Sequence, residues 1–154
     1  MDDIRIEQTS SGSAMLLGCY VESNLKWNKQ VDFLLSKLAS RLGSICHLQN
    51  SCPFKIRKTL IEGVFNSVIL YCLPLFGGIG KVLVNKIQIL QNRAARIACG
   101  APSHSSRDGL YKRLNWLTIN QLISYHTLIS IFKIRETKEP EYLADFLCRT
   151  SRNN

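Results

Sequence analysis

The clearest pattern of apolar and polar positions lies in residues 81–100, KVLVNKIQILQNRAARIACG. Residues three and four positions apart share one face of an α-helix. Apolar side chains recur at these steps, at Leu83, Ile87, Leu90, Ala94 and Ile97. The pattern therefore predicts an amphipathic helix. Gly100 and Pro102 predict its end, because glycine tolerates a left-handed cap and proline cannot continue the hydrogen-bond ladder.

Similar stripes predict a mainly α fold, a bundle of about five helices with an N-terminal β-hairpin. One predicted helix covers residues 28–48, with a stripe made of Trp27, Val31, Leu34, Leu38, Leu42 and Ile45. The next, residues 53–73, is apolar nearly all round after Leu60, which is typical of a helix buried on most sides. Thr118 and Gln121 have capping-box spacing. The remaining helices are predicted at 107–115, at 118–135 and from Pro140 onward.

The first 22 residues alternate weakly between apolar and polar positions, which predicts a β-hairpin. Its strands are predicted at 4–8 and 14–22, joined by a turn at 10–13. An isolated hairpin is marginally stable in water, so we expect it to complete a sheet or to pack on the helices. These predictions divide the chain into a hairpin (1–22), a helical domain (23–149) and a polar tail (150–154).

The chain is strongly basic, and its charge is unevenly distributed. Its 154 residues fit one domain, with a formal net charge of +9. Residues 25–135 contain sixteen Lys and Arg but three acids, Asp32, Glu62 and Asp108. A basic body of this kind repels itself unless it meets a polyanion. Nucleic acid is therefore the first partner to consider, and an anionic membrane surface is the second.

Eight basic residues on three predicted helices are the candidate nucleic-acid contacts. Lys55, Arg57 and Lys58 lie in the first turns of a helix, where a cation is unfavourable unless an anion such as phosphate is bound. The other five flank the helix at 81–100 or lie on the short helix after it: Lys86, Arg93, Arg96, Lys112 and Arg113. The alternative is that all eight are simply solvated.

No catalytic, metal or cofactor site is predicted. The acidic pair Asp2 and Asp3 is interpreted as a solvated terminus. The three histidines are scattered, and the glycines at 77–80 form a turn and no phosphate-binding motif. The six cysteines lie mostly in apolar helical runs, which indicates reduced thiols in an intracellular protein and no zinc site. Residues 60–76 are interrupted by polar residues and are not expected to span a membrane.

Six blocks occur in order along the chain: LGCYVESNLKW (17–27), YCLPLFG (71–77), KIQILQNRA (86–94), LNWL (114–117), Tyr125-His126 and PEYL (140–143). In this order they resemble the region that follows the catalytic palm in jockey-type non-LTR retrotransposon reverse transcriptases. The block containing LQNRA is the most specific. The resemblance covers nearly the whole chain, from about residue 4 to residue 146.

The resemblance implies a helical thumb and connector that holds the template–primer duplex of an RNA-directed DNA polymerase. It also implies that the palm, with its aspartate pair and Mg²⁺, belongs upstream of residue 1. We therefore expect a chain that binds RNA or RNA–DNA hybrid but is no enzyme by itself, with a parent palm as a further partner. Neither a small-molecule substrate nor a cofactor is expected, and the expected location is the nucleus or cytoplasm. The alternative is a helical protein-interaction or self-association module.

Overall fold

The protein is mainly helical, with an N-terminal β-hairpin, as the pattern predicted. The computed structural model describes residues 12–47, 51–73 and 78–152. For residue 72 and residues 148–152 it describes the backbone alone. The strands are β1 (Ser13–Leu16) and β2 (Cys19–Glu22). The helices are α1 (Asn28–Cys46), α2 (Phe54–Ile61), α3 (Ser67–Cys72), α4 (Lys81–Cys99), α5 (Arg107–Leu114), α6 (Ile119–Thr137) and α7 (Glu141–Arg152).

The described hairpin covers residues 13–22 and lies almost wholly within one predicted strand. β1 and β2 pair antiparallel, with Leu16 opposite Cys19, and the predicted strand at 14–22 is wrong because the chain turns back in its middle. Leu17 and Gly18 both have positive φ, 47° and 77°, as a tight two-residue hairpin turn requires. The other predicted strand, at 4–8, lies outside the described residues.

Side chains from the hairpin and α1 tie these two elements together. The backbone N–H of Tyr20 donates to Oε1 of the buried Gln30 at 2.7 Å. Glu22 Oε2 accepts the backbone N–H of Lys29 at 3.1 Å, which satisfies a donor in the first turn of α1. The hairpin thus packs on a helix, one of the two outcomes expected for it.

The second predicted helix is one rod with a π-helical turn, Glu62–Asn66, between α2 and α3. The expectation that it is buried on most sides is wrong. It buries one stripe, whereas Leu70 and Tyr71 are exposed, because the described chain covers only the side that faces α1 and α4. The buried stripe consists of Ile61, Phe65, Ile69 and Leu73.

A π turn shifts the backbone ladder by one residue, and two side chains bind the carbonyls there. Arg41 Nη1, from α1, donates to the Val64 carbonyl at 2.7 Å. Ser67 Oγ donates to the Gly63 carbonyl at 2.5 Å. One of the cations that contribute to the positive excess is therefore occupied in stabilising the fold.

The centre of the molecule is α4, which packs against α1, α2, α5 and α6. It ends at Gly100 in the left-handed conformation, φ 64°, as predicted. The predicted apolar seam is buried except for Leu90, which is partly covered. The core that surrounds α4 includes Val31, Leu34, Leu38, Leu42, Phe65, Ile69, Leu114 and Ile119.

The predicted capping box begins α6: Thr118 Oγ1 accepts the backbone N–H of Gln121 at 3.3 Å, and the Gln121 side chain accepts that of Thr118 at 2.9 Å. Beyond Ile119, the described side chains of α6 are at most partly buried. The helix after Pro140, α7, packs against α6. Together α6 and α7 leave large apolar side chains in solvent, namely Tyr125, Leu128, Phe132, Tyr142 and Phe146.

Candidate nucleic-acid interface

The outer face of α4 carries alternating apolar and basic side chains. Four exposed residues follow one another on this face at steps of four, three and four: Val82, Lys86, Ile89 and Arg93. We call these four residues the α4 ridge. The same period that buries Leu83 and Ile87 therefore turns these side chains outward. Two of the eight predicted site residues thus lie on one solvent-facing line.

The two cations of the α4 ridge have different surroundings. Lys86 Nζ lies 3.5 Å from Asp32 Oδ1 on α1, and both side chains are exposed. An exposed pair of this kind contributes little to stability and is screened by salt. The Arg93 side chain makes neither an ion pair nor a hydrogen bond with any other described residue.

Arg96 lies at the edge of the α4 ridge and is half-buried. Its Nε is buried and has no hydrogen-bond partner among the described residues. A buried donor without an acceptor costs about 1–3 kcal/mol, so such a group calls for an explanation. Arg96 is therefore a cation whose hydrogen-bonding capacity is not fully used within the described part of the fold.

The three basic residues at the start of α2 have separate roles. Arg57 Nη1 donates to the Cys52 carbonyl at 2.6 Å, and its Nε donates to the Ala98 carbonyl at 3.2 Å. This guanidinium therefore satisfies a carbonyl in the last turn of α4, where helices leave unpaired acceptors. Lys58 Nζ lies 3.7 Å from Glu62 Oε1. Lys55 is exposed.

Lys112 and Arg113, on α5, are both exposed. The Arg113 guanidinium lies 4.5 Å from the centre of the Phe54 ring, a cation–π contact that holds it against the start of α2. Arg113 and Arg57 both act on Cys99: burial raises the pKa of that thiol, and the two guanidinium charges oppose the rise. Basic residues of α2 and α5 thus gather at the C-terminal end of α4.

Lys86 lies apart from that cluster. Arg96 is ten positions after Lys86, which corresponds to about 15 Å along the axis of an α-helix. The eight predicted residues therefore do not form one cluster. Three lie on α4, at or beside the α4 ridge, and the other five lie on α2 and α5.

A buried hydrogen-bond network, which was not predicted from the sequence, lies on the inner side of α4. Gln88 Nε2 donates to the Tyr111 hydroxyl at 2.6 Å, and that hydroxyl donates to Gln91 Oε1 at 2.9 Å. Gln91 Nε2 donates to the Leu117 carbonyl at 3.0 Å, while Gln88 Oε1 accepts the backbone N–H of Ile119 at 2.9 Å. The network joins α4, α5 and the start of α6.

The sequence did contain a signal for this network. Gln91 is four residues after Ile87 and three before Ala94, so it falls within the apolar seam. A polar side chain at such a position must find partners when it is buried. Burial also raises the pKa of Tyr111 to about 12, although the hydrogen bond from Gln88 lowers it. The two glutamines of the KIQILQNRA block, Gln88 and Gln91, are therefore structural residues in this chain.

Two cavities lie on either side of the segment that joins α5 to α6. The first, which we call the amide cavity, lies between α4, α5 and the start of α6 and measures about 610 Å³. Its polar lining includes Asn85, Asn115, Asn120, Arg107 and Lys112. The second, about 380 Å³, lies beside the π turn and includes Glu62 and Trp116 in its lining. Trp116 Nε1 donates to Glu62 Oε1 at 2.9 Å, so this indole is held in place.

The described ranges contain neither a metal cluster nor a membrane-spanning helix. No three His, Cys, Asp or Glu residues there come close enough together to hold a metal ion. Within the same ranges, no helix is both long enough and apolar enough to cross a membrane. The described cysteine side chains, Cys19, Cys46, Cys52 and Cys99, form no disulfide.

Comparison of the chain with protein-family models, with curated proteins and with solved structures finds no match.

Proposed function

We propose that this chain is the post-palm portion of a jockey-type non-LTR retrotransposon reverse transcriptase and that it binds RNA or RNA–DNA hybrid through backbone phosphates. The six ordered sequence blocks support the family, and the charge distribution supports the ligand. The observation that carries the binding proposal is the α4 ridge, where Arg93 is exposed and makes no ion pair with a described acid.

The acids of the basic region do not neutralise it. Residues 25–135 contain three acidic residues, and a carboxylate oxygen of each already lies 3.5–3.7 Å from the nitrogen of one basic side chain. The pairs are Asp32 with Lys86, Glu62 with Lys58 and Asp108 with Arg107. The excess of thirteen positive charges in that span is therefore left over after these pairings. A polyanion would neutralise it and release condensed counterions.

The spacing of the α4 ridge suits a nucleic-acid backbone. Lys86 and Arg93 are seven residues apart, about 10 Å along the helix axis. A strand lying along α4 would therefore place different phosphates against the two cations. The buried Nε–H of Arg96 fits the same proposal, because a small local movement would let it donate to a phosphate oxygen.

Polymerase chemistry is assigned to a palm outside this chain. In the proposed arrangement the palm supplies the aspartate pair and Mg²⁺, while this portion holds the nucleic acid. It would work where such nucleic acids occur, in the nucleus or cytoplasm. These roles rest on the resemblance, whereas the binding role rests also on the ridge and the charge excess.

A salt series tests the binding proposal. Affinity for a labelled RNA–DNA hybrid, measured by fluorescence anisotropy, should fall linearly on a log–log plot as salt rises, with a slope of about −0.9 for each phosphate neutralised in a B-form duplex. Absence of binding at about 50 mM salt, where such contacts are strong, would overturn the proposal.

Charge-matched variants locate the binding surface. Replacing Arg93 and Arg96 by alanine should make the salt slope shallower by about two, because each substitution leaves one phosphate without its cation. Lys133 and Arg135 on α6 are exposed and lie outside the proposed surface, so the double alanine variant at those positions is the control with the same net charge. Equal effects in the two double variants would show that only net charge matters, with no defined surface.

A second function, self-association, is favoured by one observation, the exposed apolar side chains of α6 and α7. Phe132 is 64% exposed and Leu128 is 66% exposed. Exposed apolar groups on neighbouring helices are typical of protein contacts. Sedimentation velocity over a range of protein concentrations tests this function. A dimer abolished by Phe132→Ser, in a protein without affinity for hybrid, would favour it over the first.

A further inference from the structure

We infer that the amide cavity receives one unstacked base, so that the preferred ligand of this surface is single-stranded and not an intact duplex. This inference rests on the proposed function, since phosphate contacts must bring the strand to the surface. It goes further by assigning a site for the base and by choosing between two classes of nucleic acid.

The amide cavity lies directly beside the α4 ridge. Asn85, which lines the cavity, precedes Lys86 in the sequence and is therefore about 100° from it around the helix. On the other side, the cavity wall continues to Lys112 and Arg107 of α5. Arg107 lies 3.6 Å from Asp108, which also lines the cavity, so Lys112 is the cation on that side. A strand bound along the ridge would thus pass the cavity, with Lys86 on one side of it and Lys112 on the other to hold the flanking phosphates.

The polar groups in the cavity suit a base. The side-chain amides of Asn85, Asn115 and Asn120 form no hydrogen bond with any described residue. Each amide offers two donors and one acceptor, and the edges of the bases present both kinds of group. A set of amides can pair with any base after rotating, so the site would favour bases in general and not one sequence.

The aromatic residues of the lining are held rigidly. Tyr111 and Trp116 form an edge-to-face pair with ring centres 6.4 Å apart and planes at 89°. The hydrogen bonds of the Tyr111 hydroxyl to Gln88 and Gln91, and that of the Trp116 indole to Glu62, fix both rings. Tyr111 is buried, so Trp116 is the partly exposed ring of the pair and the one that a base can contact. Proteins that bind single strands combine such an aromatic surface with nearby cations.

The cavity can accept one base, which favours an unpaired strand over a duplex. At about 610 Å³, it is within the range of pockets that hold small organic ligands and can accept one base. In a duplex, each base is stacked and paired, so it can enter the cavity only if it is first extruded at an energetic cost. An unpaired strand has no pairing to break.

Three labelled probes test the inference by fluorescence anisotropy at about 50 mM salt. They are a single-stranded RNA of about ten nucleotides, a ribose-phosphate strand of the same length without bases, and a hybrid duplex of the same length. We expect the single strand to bind about tenfold more tightly than the abasic strand, the size of effect that one stacked base produces. The single strand should also bind more tightly than the duplex.

Variants then locate the base. Replacing both Asn85 and Asn120, two exposed residues, by alanine should remove most of the advantage of the single strand over the abasic strand. Asn28→Ala, at an exposed position in the first turn of α1, is the matched control and should change neither affinity. The alanine substitutions at Arg93 and Arg96 should weaken the binding of both strands equally.

The outcomes separate this inference from the proposed function. If all three probes bind equally and with steep salt dependence, phosphate binding stands and the base site is overturned. An unchanged preference for the single strand in the Asn85 and Asn120 double variant overturns the cavity as its location. If no probe binds, both proposals fail.

Discussion

Helices α4 and α6 are both nineteen residues long, yet they are used in opposite ways. Nine residues of α4 are buried, including the amide side chain of Gln91, whereas α6, which the structure describes throughout, buries Ile119 alone. The difference does not come from apolar content, because α6 is rich in Ile, Leu and aromatic residues. It comes from the number of neighbouring elements, since four helices pack around α4 while α6 touches α4 near its start and α7 near its end.

The comparison shows that an apolar helix becomes core only if the rest of the chain surrounds it. In α4, burial of one face leaves the opposite face free to carry Lys86 and Arg93 in a regular line. In α6, apolar side chains are distributed nearly all round, and the described chain covers few of them. The proposed binding surface therefore lies on one face of α4, whereas α6 has no such division.

The largest effect is expected from truncating equivalent apolar side chains in the two helices. Ile87, on α4, is fully buried, whereas Leu128, on α6, is 66% exposed. Ile87→Ala should lower the free energy of unfolding by about 2–5 kcal/mol, because it removes buried side-chain atoms and leaves a cavity. Leu128→Ala should change it by no more than about 0.5 kcal/mol. Urea denaturation measures both, and an effect at Leu128 as large as that at Ile87 would show that α6 is covered in solution.

The buried network of α4 gives the next largest effect. Tyr111→Phe removes a hydroxyl that forms hydrogen bonds with Gln88 and Gln91, at a cost of about 1–3 kcal/mol for the two bonds, while the two amides keep their 3.0 Å hydrogen bond to each other. Tyr125, on α6, is 53% exposed and is the matched control, so Tyr125→Phe should be nearly neutral. Chemical denaturation near neutral pH measures the pair, and equal destabilisation of the two variants would contradict the network.

Tyr111 also predicts a pH dependence with a definite sign. Burial raises its pKa from 10.0 to about 12, so between these values the unfolded chain ionises this phenol while the folded chain keeps it neutral. The unfolded chain therefore releases a proton that the folded chain retains, and stability falls as the pH rises from 10 towards 12, at about 1.4 kcal/mol per pH unit. The Tyr111→Phe variant, which has no phenol at this site, should lose less stability over the same range in parallel thermal melts.

The ends of the two helices provide a smaller effect of opposite sign. Gly100 after α4 and Lys138 after α6 both adopt the left-handed conformation, with φ of 64° and 56°. An added Cβ at Gly100 would lie 3.0 Å from Arg57 Nη2, so Gly100→Ala should cost about 1–2 kcal/mol and disturb the Arg57 cap. Lys138→Gly should instead stabilise by up to about 1 kcal/mol, because it relieves a strained side chain. Thermal melts of both variants measure these shifts, and changes of the same sign would contradict the interpretation.

Helices α4 and α6 also differ in how much of their structure a local sequence pattern predicts. The seam of α4, its end at Gly100 and the capping box of α6 follow from local rules, so they could be predicted from a few residues each. The burial of α6 and of the rod after Leu60 depends on which elements pack beside them, and a periodic pattern does not contain that information. The turn at Leu17 was missed because leucine rarely adopts positive φ.

The candidate interface was predictable only in part for the same reason. Lys86 and Arg93 share a face because of helical periodicity, which the sequence displays directly. The hydrogen bonds of Arg57 with Cys52 and Ala98 join residues up to 41 positions apart, so no local pattern could separate this structural cation from the exposed ones. The amide cavity likewise requires three elements to meet.

The smallest effects concern the starts of the two helices. Thr118 caps α6 through the capping box, whereas Gly80 begins α4 without a side-chain cap. Thr118→Ala should therefore lower stability by about 1 kcal/mol. Gly80 has extended backbone and open space for a Cβ, so Gly80→Ser should add a few tenths of a kcal/mol by supplying the missing acceptor. Denaturant midpoints measure both changes. If Thr118→Ala were neutral, the first turn of α6 would be held by the hydrogen bond from the Ile119 N–H to Gln88, and the packing of α4 would then determine where α6 begins.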